Sequence, residues 1–158
     1  MNTTSVLALS FAVGVIAGLR ALTAPTVVSW AARLKWFDLS STWAAFLGSS
    51  ATPYIFSLLA IAELVNDKLP KTPSRKAPPS FAVRIVSGAF SGAALAMGAS
   101  QSAAIGAVCG GLGAVAGTLG GYEIRRRLVK ALHVPDLVIA LLEDAVAVGG
   151  GFLIVSRL

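Results

Sequence analysis

Four ionisable side chains sit inside apolar sequence, where a charge needs a purpose or a partner: Arg20, Glu63, Glu143 and Asp144. Glu143 and Asp144 are adjacent in the last apolar run, residues 134–155. A run of roughly 20 apolar residues can cross a bilayer as a helix, so this pair is expected near the membrane midplane. An ionisable group at that depth costs about 2.5–3.5 kcal/mol on insertion scales and is normally turned toward a bundle interior or a polar cavity. Arg20 lies midway along the first apolar stretch, and pairing it with Glu143 or Asp144 lowers the cost of both charges. The two acids are about 100° apart around a helix, so they can face different neighbours and need not share one proton. A buried carboxylate beside an arginine is a group whose protonation can be coupled to movement. Glu63 and Asp67 are four apart on one helix face; Asp67 and Arg84 are further candidates for buried charge, with the inner membrane interface, shared with Lys68, as their favoured placement.

The elements that must position these groups follow from composition. The chain is 56% apolar and 13% charged, against about 25% charged in a soluble domain, and its mean hydropathy is +0.79. That predicts an all-α polytopic transmembrane bundle, one domain over residues 1–158, with five or six membrane elements and no room for a further soluble domain. The first apolar segment, 5–19, lacks a positive n-region and reads as a retained span rather than a signal peptide. The apolar stretch continues to about Ala32 and carries Pro25, which predicts a kink or break over 21–25, with Thr23 and Thr26 able to satisfy the freed groups. Residues 33–38 suit a membrane–water interface, and 43–47 read as a surface helix or the start of the next crossing. Further spans are expected at 53–65, 81–99, 103–121 and 134–155, with a basic, Pro-rich linker at 68–84. Loops rich in Lys and Arg stay in the cytoplasm, which places this linker and the cluster at 125–130 inside and the C-terminus outside. An N-terminus inside corresponds to five spans, one outside to six.

A weak repeat is visible: SFAVGVIAG from Ser10 to Gly18 recurs as SFAVRIVSG from Ser80 to Gly88, and an acid-bearing segment follows in each half. Half-repeats 1–70 and 80–158 of three elements each would be inverted relative to one another, an arrangement found with broken helices in secondary transporters. Chance similarity between apolar segments is the competing explanation. Gly88 and Gly92, Gly106 and Gly110, and Gly113, Gly117 and Gly121 are spaced by four and read as helix-packing seams. Gly149 to Gly151 allow a bend or close contact near the outer face. Cys109 is the only cysteine and His133 the only histidine, so no disulfide, metal or hydrolytic constellation is recognisable, and neither a cofactor nor an enzyme is expected. The basic clusters are explained by membrane topology and anionic lipid, without nucleic acid.

At Gly18-Leu19-Arg20, Pro25 and the stretch from Glu63 to Lys68, the chain resembles a family of small multipass bacterial membrane proteins described only as a domain of unknown function. The resemblance covers nearly the whole chain and implies an inner-membrane helical protein without an assigned substrate. Three function classes are consistent with the residues. One is a small transporter or ion-coupled carrier, in which Glu143 and Asp144 bind a proton or cation while Arg20 engages an anionic group or holds the acids. Another is a channel or lipid-handling protein, and the third a structural or assembly subunit. The expected partners are membrane lipids, a small solute or ion, and further copies of the chain, since so few helices enclose a cavity poorly.

Overall fold

The computed structural model describes residues 2–67 and 76–158. Among these residues it is all-helical: α1 (Thr3–Leu19), α2 (Thr23–Arg33), α3 (Thr52–Asn66), α4 (Pro78–Gly98), α5 (Ala103–Leu132) and α6 (Asp136–Val155), with a 3₁₀ turn at Ala45–Gly48. Helices α4, α5 and α6 are long and apolar enough to cross a membrane, and α1 and α3 are shorter apolar helices. The expected basic linker lies outside the described residues over 68–75, and α4 begins within its remainder. Outward-facing Leu58, Val86, Val108, Leu112 and Val146 are exposed, which suits a bundle solvated by lipid.

Local chemistry sets the boundaries. Asn2 Oδ1 accepts from the Ser5 N–H at 2.8 Å and caps α1. Proline occupies the first turn of α3 and of α4, where a missing N–H costs nothing. His133 closes α5 with φ 51°, and Pro135 then leads into α6. Helix α5 runs past its expected end at Gly121 because no breaker follows, and Glu123 there pairs with Arg126 at 3.0 Å and Arg127 at 2.8 Å. Between α2 and the 3₁₀ turn, the Ser40 N–H and hydroxyl donate to Asp38 and hold its carboxyl below its ordinary value.

Contacts between glycines give the helix directions. Gly14 of α1 packs on Gly110 of α5 and Gly18 on the stretch from Ala114 to Thr118, so α1 and α5 are parallel. Gly88 packs on Gly110 and Gly92 on Gly106, so α4 is antiparallel to α5. Ser10 Oγ donates to the Gly92 carbonyl at 3.2 Å, and Arg84 reaches the Gly18 carbonyl, which makes α1 and α4 antiparallel as well. These approaches require glycine: a Cβ on Gly14 would stand 2.7 Å from the Gly110 carbonyl carbon, and one on Gly88 would stand 2.6 Å from the Gly110 carbonyl oxygen. Without a hydrophobic force between helices in lipid, such backbone proximity is what packs them.

After α1 the chain reverses. Arg20 meets Asp144 of α6, and both Ile16 and Val27 meet the Gly150–Gly151 region further along that helix. Thus α2 returns beside α1 instead of continuing it, and Phe37 ends against Gly98 at the far end of α4. The 3₁₀ turn folds back onto α2, where Leu47 is fully buried and its carbonyl accepts from Ser29 Oγ at 2.6 Å. Ala44 and Leu47 are buried while Trp43, Ala45 and Phe46 stay exposed, so segment 43–47 is a surface turn anchored on α2 and not the start of a crossing. Helix α3 then runs antiparallel to α2, with Trp30 Nε1 bonded to Ser57 Oγ at 3.0 Å and Glu63 at the start of α2.

Candidate functional site

The reversal at Arg20–Leu22 takes backbone groups out of the helical ladder, and side chains replace the missing partners. Arg20 has extended φ/ψ of −142° and 111°. Arg84 Nη1 donates to the carbonyls of Gly18 at 3.0 Å and Leu19 at 2.7 Å. Thr118 Oγ1 also donates to Gly18 O at 3.2 Å, and the Ser87 hydroxyl donates to Ala21 O. On the α2 side, the N–H groups of Ala21 and Leu22 donate to Glu63 Oε1 and Oε2, each at 2.7 Å. Glu63 thereby caps a helix start from a different helix, and its negative charge faces the positive end of the α2 dipole.

Pro25 is not the break. It is the third residue of α2, where its absent N–H would have no intrahelical partner, and the first helical bond, Thr26 N–H to Leu22 O at 3.2 Å, lies just beyond it. The interruption falls at 20–22, overlapping the expected 21–25, and Pro25 lies in the first turn of the second piece. Thr26 Oγ1 donates to Leu22 O at 2.6 Å, a carbonyl that the Thr26 N–H already reaches and so not a freed one, whereas buried Thr23 Oγ1 has no hydrogen-bond partner among the described residues.

The charges converge on Arg20, which is 1% exposed. Its Nε lies 2.6 Å from Asp144 Oδ1, its Nη1 3.0 Å from Asp67 Oδ2, and its Nη2 3.7 Å from Glu143 Oε2. Arg20 therefore joins the end of α1 to α3 and α6. Arg84 shares Asp67 Oδ2 at 3.4 Å and lies 3.9 Å from Glu63 Oε1. Glu143 is also 3.4 Å from Arg125 Nη1, and Arg125 pairs with Asp136. A chain of alternating charge thus leads from the buried cluster to the exposed start of α6. Arg84, Glu143 and Asp144 lie about a third of the way along α4 and α6, toward the end of the bundle where α3 ends and α4 begins.

Two hollows touch this cluster. An open groove of about 640 Å³ between the break, α3 and α4 is lined by Leu22, Leu59, Glu63, Asp67, Val83 and Arg84, among others. A cleft of about 210 Å³ between α5 and α6 is apolar apart from Glu143 and Arg125 on its wall. Among the described residues no three His, Cys, Asp or Glu side chains are grouped to hold a metal ion.

Of the four residues singled out by sequence, Arg20, Glu143 and Asp144 meet directly, while Glu63 joins them through Arg84 and Asp67. Asp67 and Arg84, expected at the interface, belong to the cluster instead: Arg84 is 3% exposed and the Asp67 side chain 19%. Their recruitment follows from the reversal, which brings the α1 carbonyls to α4 and Arg20 to the end of α3. The i,i+4 spacing of Glu63 and Asp67 was the available signal. Arg125, read as a topology-setting charge, also faces inward to Glu143. Lys68 lies outside the described residues.

A family model described as Domain of unknown function (DUF4126) matches residues 7–156, nearly the whole chain. No curated protein and no solved structure matches the chain significantly.

Proposed function

Because the chain belongs to this family of unassigned activity, we propose its function from the site itself: a small ion-coupled carrier in a bacterial inner membrane. The observation that carries the reading is the helix break, whose freed backbone groups are held by ionisable side chains beside an open groove. Discontinuous helices with their ends turned toward a site are a recurrent way of binding ions and solutes within a membrane. In this reading Arg20, Glu63, Glu143 and Asp144 form the site, with Asp67 and Arg84 added. A proton or cation that neutralises Asp67 or Asp144 removes an anion to which Arg20 is bonded and loosens the joint between α1, α3 and α6. The antiparallel course of α1 and α4 supports an inverted relation between halves 1–70 and 80–158, and the exposed apolar faces leave room for homo-oligomers in lipid.

The test is solute-driven ion movement in liposomes containing the purified protein and a pH-sensitive dye. Solute-dependent proton flux that Glu143→Gln abolishes while the protein stays folded is the expected result. Flux unchanged by that substitution removes the coupling role. A second reading, a structural or assembly subunit, is favoured by the near-complete burial and ion pairing of Arg20. It becomes the better one if no solute or ion gradient moves anything.

A further inference from the structure

At the end of the bundle away from Arg20, the chain leaves α2 through a turn that puts a lysine where glycine is the easy residue. The Lys35 N–H donates to Ala32 O at 3.1 Å and the Trp36 N–H to Ala31 O at 3.0 Å, the paired bonds of a Schellman cap. The residue closing such a cap is left-handed, here with φ 59°, a conformation that strains any residue with a Cβ and leaves glycine unstrained. Arg33, in the last turn, already complements the carbonyl end of α2 without that strain, so the helix dipole does not account for Lys35. Both cations line an open hollow of about 610 Å³ between the end of α2, residues 37–40 and the 3₁₀ turn. Among the described residues neither lies within salt-bridge distance of a carboxylate. Asp38 also lines the hollow, but both of its oxygens are taken by Ser40, through the N–H at 2.8 Å and the hydroxyl at 2.9 Å. Two cations against one occupied acid leave the hollow positive. Leu34, Trp36, Trp43 and Phe46, next to its lining residues in the chain, are exposed, and exposed tryptophans of a membrane protein sit at headgroup depth.

We propose that this hollow seats the headgroup of an anionic phospholipid, with its phosphate on Arg33 and Lys35 and its acyl chains along Trp36, Trp43 and Phe46. A volume of about 610 Å³ falls within the range of about 300–1,000 Å³ typical of small-molecule sites and accommodates a glycerophosphate group. A free anion meets the same two cations, and the exposed aromatic surface beside them selects the lipid. The inference is independent of the carrier reading, since none of these residues belongs to the Arg20 cluster.

The experiment is tryptophan quenching by phospholipids brominated on their acyl chains, with the full-length protein in nanodiscs of otherwise neutral lipid. Trp36 and Trp43 report on the hollow, while Trp30 is bonded to Ser57 within the protein. Brominated phosphatidylglycerol is expected to reach half-maximal quenching at a mole fraction about tenfold below that of brominated phosphatidylcholine. Lys35→Gly relieves the left-handed strain, so it is expected to unfold cooperatively while losing about fivefold of this preference. The double change Arg33→Gln with Lys35→Gln is expected to abolish it. Equal quenching by the two lipids overturns the proposal, as does a preference that survives the double change. A preference abolished by inorganic phosphate, and not by chloride at the same ionic strength, marks a free-anion site and overturns it as well.

Discussion

Along the seam between α1, α4 and α5 backbone meets backbone, whereas at the break between α1 and α2 backbone meets charged side chains. In the seam volume is the main thing at stake: Gly14, Gly88 and Gly110 leave no space for a Cβ, and Ser10 Oγ adds one hydrogen bond across it. At the break, space is available and the hydrogen bonds are missing, so Glu63, Arg84, Ser87 and Thr118 supply them from three other helices. The same bundle is thus vulnerable in two ways. The seam fails when atoms are added, and the break fails when polar atoms are removed.

The largest effect is expected from Gly110→Leu, which drives a side chain into the Gly88 backbone on a seam that Gly14 also occupies. Backbone cannot rotate aside as a side chain can, so a loss beyond about 4–5 kcal/mol is expected, seen as failure to purify a folded bundle. A protein that folds normally with this change would show that the seam is not close-packed. Next comes Arg20→Ala, which leaves Asp67 and Asp144 without their shared cation and should cost about 3–5 kcal/mol in a reversible detergent unfolding assay. A loss under about 1 kcal/mol would mean that water already screens the cluster.

Glu63→Gln keeps the shape but offers one acceptor where two N–H groups need acceptors. A loss of about 1–3 kcal/mol is expected, with faster hydrogen exchange at the Ala21 and Leu22 amides in particular. Exchange that stays slow at both amides would remove Glu63 from its capping role. Thr118→Val, at the border of seam and break, deletes the hydroxyl shared by Gly18 O and Ala114 O and should cost about 0.5–1.5 kcal/mol by the same unfolding assay. Gly149→Ala is the smallest and has the opposite sign. Nothing lies within 4 Å of its added methyl, so the gain in helix propensity should stabilise by about 0.5–1 kcal/mol, which separates this glycine from those of the seam.

The seam was legible and the break only partly so. Glycine spacing of four marks one helix face whatever the neighbours are, and Gly88, Gly92, Gly106 and Gly110 meet as that spacing requires. Proline drew attention to Pro25, but a proline suits the start of a helix as well as an interruption, and sequence alone did not separate the two. Asp67 and Arg84 sit beside a basic, proline-rich stretch that resembles ordinary membrane-surface sequence. Their burial comes from long-range pairing with α1, for which one chain without a partner pattern gives no periodic signal. The end of α5 was missed for a related reason: falling hydropathy after Gly121 marks the edge of an apolar run, while the helix itself continues on Glu123–Arg pairs.

Composition and hydropathy were enough to establish an all-helical membrane-type bundle, because the cost of placing each residue in an apolar medium is local and additive along a helix. The same local cost marked Arg20, Glu143 and Asp144 as groups in need of partners. Pairing of Arg20 with Glu143 or Asp144 was expected from that cost, and the tertiary structure decided that Asp144 is the closer partner and that Asp67 joins it. The reversal at Arg20–Leu22 sets which helix ends meet, and hydrogen bonds and ion pairs between groups as far apart in sequence as Arg20 and Asp144 depend on that meeting and not on any local pattern.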